Sequence, residues 1–164
     1  MKLWQALYAM IWIVFLEFLL VMTPDHADWV TYAHVVAGVL IVALAYYNFD
    51  QLRKTAVPAR VKRIAKSTLQ LSVLMAILGV LLLPRVGETW VIPLINVSIY
   101  GLILLIHVVN AFAVITQAAA VAIAYDMWED KEFVREAEAG EVPAMPIPTK
   151  PSATETRETG ESKS

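Results

Sequence analysis

Apolar residues along this chain gather into four long stretches set apart by polar or turn-forming positions. The first covers residues 3–22, and its polar members are Gln5 and Glu17. The second covers 29–49, the third covers 67–83 and is closed by Pro84, and the fourth covers 90–128. A run near 20 apolar residues is what a helix needs to cross a hydrocarbon core of roughly 30 Å. The fourth stretch is too long for one simple crossing, since an unbroken helix over it would reach about 58 Å. Pro93 argues for a break near its start. The pattern therefore predicts an all-α, integral-membrane four-helix bundle with spans at 3–22, 29–49, 67–83 and 97–127. An interfacial or re-entrant segment is expected at 88–96. The first run is read as a retained helix rather than a signal peptide, because its apolar core is too long and no small-x-small site follows it.

The basic residues orient the bundle. Arg53, Lys54, Arg60, Lys62, Arg63 and Lys66 crowd the connection between the second and third spans, whereas the connection after the third carries only Arg85. The positive-inside rule puts the basic connection in the cytoplasm, and four spans then place both termini there. Trp4, Trp29, Trp90 and Trp128 fall near span ends, as an interfacial aromatic belt requires. The transmembrane domain is taken as residues 1–136, with 129–138 a charged extension of the fourth helix. From 137 to 164 the chain is rich in Pro, Glu, Thr and Ser and is expected to form a disordered cytoplasmic tail.

Composition narrows the chemistry. Hydrophobic residues make up 59% of the 164 and charged residues 17%, against about half and a quarter in soluble domains. The net charge of −2 gives no basic field for nucleic acid. The absence of Cys removes disulfides, thiolate metal sites, Cys nucleophiles and c-type haem attachment. No phosphate-binding glycine loop or HExxH motif is present, which argues against a nucleotide-driven pump or a zinc hydrolase.

Ionisable groups inside a bilayer are costly and usually mark function or a specific pairing. Three stand out: Glu17, His34 and His107. His34 lies 16 residues before Asp50, and His107 lies 19 before Asp126, each acid marking a cytoplasmic helix end. The difference is about 4.5 Å of helical rise, so the two imidazoles share a depth in the outer half of the membrane. Their neighbourhoods both read His-Val-Val, which an internal duplication or chance would explain.

Two His on facing helices are suited to the axial ligation of a b-type haem, and His34 and His107 are the predicted metal ligands. Gly38 and Ala111, each four positions after its His, would leave room for the ring. Arg85 would neutralise a propionate, with Trp29, Tyr32 and His26 at the same edge. Glu17 is the candidate catalytic group. It is read as a proton-transfer residue, a partner of Arg85 or His34, or a snorkelling carboxylate, and with the two His it would make a three-donor metal site. Asn110 either orients His107 or binds a neighbouring helix. Gln70, Ser72, Asn96, Ser98, Thr116 and Gln117 are read as helix-packing residues, and Gly79 and Gly101 as points of close helix approach.

These features together resemble one four-helix half of the haem A synthase family: four spans, a His near the outer start of helix two, a basic cytoplasmic loop, Gln70 and Gly79 on helix three, and a His in the outer part of helix four. The resemblance covers roughly residues 3–128. It implies bis-His haem binding by His34 and His107, and oxidation of a haem O methyl group. In the family the first His is usually preceded three positions earlier by Glu and followed by Arg, and here Thr31 and Val35 stand there. A two-His membrane cytochrome b fits these departures better than an active synthase.

The leading expectation is haem b binding with electron transfer, or a haem A synthase-like oxidoreductase role, in a respiratory context in the cell membrane. Expected partners are the lipid bilayer, quinol or respiratory-complex subunits, and a second copy of the chain. The alternatives are a non-redox accessory or scaffold subunit of a larger membrane complex, and a small transporter with Glu17 on a proton path.

Overall fold

In a computed structural model, which describes residues 2–22 and 28–141 with side chains through Arg135, the chain is all-helical apart from one small hairpin. Helix α1 spans Leu3–Val21, α2 Asp28–Lys54, α3 Ala59–Leu82 and α4 Ile99–Glu141. All four are long and apolar enough to cross a membrane. Only 11–22% of each apolar window is buried inside the bundle. Most of the apolar surface therefore faces outward, far beyond the patch size a soluble monomer carries.

Consecutive helices are antiparallel and adjacent, and α1 closes the ring against α4. Two apolar clusters run up the middle. Met10, Val14, Ile41, Met75 and Val114 fill the centre. Leu7, Leu52, Val61, Val121 and Tyr125 fill the end that carries the basic connection. Polar side chains inside the bundle are satisfied largely by backbone. Thr68 donates to the Ile64 carbonyl at 2.9 Å and Ser72 to that of Thr68 at 2.8 Å, the i−4 pattern by which hydroxyls fit into helices. Asn110 reaches across to α3 and donates to the Leu71 carbonyl at 2.8 Å, so it ties two helices together.

Three features differ from the sequence reading. Helix α3 begins at Ala59, eight residues before the apolar run, because Val61 and Ala65 continue its buried face into the basic segment. Helix α4 runs on through Glu141, past residue 137. The segment expected to be interfacial or re-entrant is an antiparallel hairpin, β1 Val91–Ile92 against β2 Val97–Ser98. Asn96 turns it with φ 51°, a left-handed conformation that Asn tolerates. Ser98 then caps α4, accepting the Gly101 N–H at 3.0 Å. Gly87, at φ 76°, is where the loop meets α4: a β-carbon there would stand 2.8 Å from that of Ile99. Residues 142–164, most of the predicted tail, lie outside the described residues, as does His26.

Candidate functional site

All four helices contribute to one layer near the hairpin end. Glu17 sits four residues from the end of α1, His34 six residues into α2, Gly79 three residues from the end of α3, and His107 eight residues into α4. Antiparallel packing brings these positions level.

The carboxylate of Glu17 is paired with Nδ1 of His34. Its side chain is 11% exposed, against 36% for the imidazole. A carboxylate so enclosed requires a partner, and His34 is the one it has. Of the roles open to Glu17 from sequence, the pairing with His34 is the one seen. Arg85 pairs instead with Glu88, at 3.2 Å, on the exposed loop after α3. Its φ of 51° places it in the turn that ends that helix.

Across the bundle, the rings of His34 and His107 face each other with centroids 6.2 Å apart and planes inclined at 59°. They belong to α2 and α4, which lie diagonally opposite in the ring of helices. The Met75 backbone lies within hydrogen-bonding reach of the His107 ring. His107 Nδ1 is buried and has no hydrogen-bond partner among the described residues. Among the described residues each imidazole thus keeps one nitrogen without a hydrogen-bond partner: Nδ1 on His107, and Nε2 on His34, whose Nδ1 is taken by Glu17.

Two imidazoles on opposite sides of one metal, each bonded at about 2 Å, have centroids about 6 Å apart. The observed separation meets that figure, and a carboxylate behind one ligating His is the usual outer partner of a metal-bound imidazole. No group of three His, Cys, Asp or Glu among the described residues is arranged to hold a metal ion. The three-donor site considered from sequence is therefore not formed, while a site with two protein ligands is compatible with the geometry.

The small residues divide. A β-carbon on Gly38 would meet nothing within 4 Å, so open space adjoins α2 one turn below His34. Ala111 instead packs on the central apolar cluster. Gly79, assigned from sequence to helix approach, stands against the site itself: a β-carbon there would lie 3.5 Å from His107 Cε1. Phe18 and Phe112, adjacent in sequence to Glu17 and Ala111, meet between α1 and α4 with centroids 4.8 Å apart and planes inclined at 37°. Trp29 and Tyr32 are exposed at the hairpin end. Comparison of the chain with family models, curated proteins and solved structures gives no match.

Proposed function

We propose that this chain is a multi-pass protein of the cell membrane that binds a b-type haem between His34 and His107 and serves in electron transfer. The observation that carries the reading is the pairing of two imidazoles across the bundle diagonal, one of them backed by a buried carboxylate. Ionisable side chains within membrane-spanning helices are costly and usually mark function or a specific pairing. Three ionisable groups in one layer are thus an expensive arrangement that simple helix packing does not call for.

His34 and His107 would be the axial ligands. Glu17 fixes the orientation of His34 and raises its basicity as a ligand. Gly38 leaves space beside α2, and Gly79 leaves space behind the His107 ring. Arg85, paired with Glu88 on the exposed loop, would have to give up that partner to meet a propionate. A haem in this place would supply one-electron chemistry within reach of a quinol or a redox partner at the outer face. The basic connection between α2 and α3 sets the orientation, with both termini in the cytoplasm.

The test is haem content. Protein purified in detergent from haem-replete cells should carry close to one haem b per chain, identified after extraction. Recovery of haem O or haem A instead would favour the synthase-like reading. A colourless protein from such cells would overturn the haem reading and put an accessory subunit of a larger membrane complex in its place.

A further inference from the structure

The six basic residues at the facing ends of α2 and α3 are not equivalent. Arg53 and Lys54 both pair with Asp50. Lys62 is spent on the connection itself, donating to the carbonyls of Arg53 at 3.2 Å and Thr55 at 2.7 Å. Arg60 and Arg63 have no acidic partner among the described residues. They stand in the first turns of α3, where the helix dipole already presents positive charge and no acidic residue offsets it.

Both arginines line a cleft of about 360 Å³ between α3 and α4. Below them Ser67 on α3 and Thr116 and Gln117 on α4 set polar groups into an otherwise apolar wall that includes Ile64. Gln117 stands 3.3 Å from the Thr68 hydroxyl, whose single proton goes to the Ile64 carbonyl, so its carboxamide keeps at least one N–H to donate. Ala120 keeps the α4 wall low. Among the described residues, no carboxylate lines the cleft. The nearby acids are engaged elsewhere: Asp126 accepts from Tyr8 at 2.5 Å and Glu129 from Tyr125 at 3.4 Å.

We propose that this cleft is a binding site for the headgroup of an anionic phospholipid of the cytoplasmic leaflet. Arg60 and Arg63 take the phosphate at the membrane surface, and Ser67 and Gln117 meet the ester region one to two turns deeper. Two features support a phospholipid over a free anion: the donors descend from the charged rim into the apolar zone, and the cleft opens on the outward face of the bundle, where Arg60, Arg63 and Thr116 are exposed. Basic pockets between helices on the cytoplasmic side bind anionic headgroups in this way. The inference rests on the membrane reading above and is independent of haem.

The test uses the full chain extracted from membranes in an uncharged detergent. It is mixed with equal amounts of phosphatidylglycerol and phosphatidylcholine, and retained lipid is counted by native mass spectrometry. The intact protein should keep one phosphatidylglycerol in preference to phosphatidylcholine. The double variant Arg60→Gln/Arg63→Gln should lose that preference by about 30-fold, whereas Arg53→Gln/Lys54→Gln should retain it. Equal loss in both variants would show diffuse attraction to the loop and overturn the site, as would absence of any preference in the intact protein. Retention of inorganic phosphate without lipid selectivity would also overturn it. Recovery of the chain as a soluble protein without detergent would instead overturn the membrane reading itself.

Discussion

At the scale of single residues, the arrangement turns on Glu17. A buried carboxylate against one nitrogen of His34 gives that imidazole more anionic character than His107, whose nearest hydrogen-bonding group is a backbone one. A more basic ligand favours the oxidised metal. Glu17→Gln should therefore leave a haem-bearing protein with weaker binding, by about 10–100-fold, and a more positive midpoint potential. A haem titration and a redox titration of the same variant check both effects. If neither changes, the carboxylate serves only to fill its own place. The layer was legible in the sequence, because counting residues back from Asp50 and Asp126 levels the two His. The choice among the possible roles of Glu17 was not, since it depends on the rotation of α1 about its axis.

Gly79 packs against the His107 side chain of α4, a partner that the sequence did not name. In an apolar helix a glycine reads as a site of close helix approach, and nothing along the chain links it to a His 28 positions later. A methyl group at 79 would make ordinary contact with His107 Cε1 at 3.5 Å, but a branched side chain would displace the ring. Gly79→Ala should therefore retain haem, and Gly79→Leu should lose most of it while the bundle still folds. Haem-to-protein ratios, with circular dichroism to confirm helix content, separate these outcomes. Equal retention in both would place the His107 ring away from the ligand.

At the scale of elements, hydropathy located the helices and misjudged their ends. It sees only the part of a helix that is apolar all round. The first eight residues of α3 carry Arg60, Lys62, Arg63 and Lys66, yet Val61, Ala65, Thr68, Ser72 and Met75 form one buried stripe. Their spacing of four and three is a helical period that was present in the sequence and hidden by the charges. The hairpin was missed for another reason. Strands of two residues are too short to show alternation, and only Pro93 and Asn96 marked the turn. Ser98 was read as a packing residue, although a Ser at the start of an apolar run is a helix cap signal.

At the scale of the whole molecule, four membrane-spanning helices would put the α2–α3 turn and the hairpin on opposite sides of a membrane. The chain contains no Cys, so a single introduced thiol reports its own position without interference. In intact cells a membrane-impermeant maleimide should label Thr89→Cys and leave Ala56→Cys untouched until the cells are opened. Both positions are exposed outside regular helix, so a lack of labelling would not come from burial. The reverse pattern would place the imidazole layer near the cytoplasmic face and move electron entry to that side.

The measurement that bears most directly on the central claim is the dithionite-reduced minus oxidised absorbance spectrum of the purified protein, compared with His34→Ala and His107→Ala. The intact protein should show a sharp low-spin α-band that is lost in each single variant, because each imidazole would supply one of the two protein ligands to the iron. A spectrum that survives either substitution unchanged would contradict ligation by that His, and a flat spectrum from the intact protein would contradict the haem altogether.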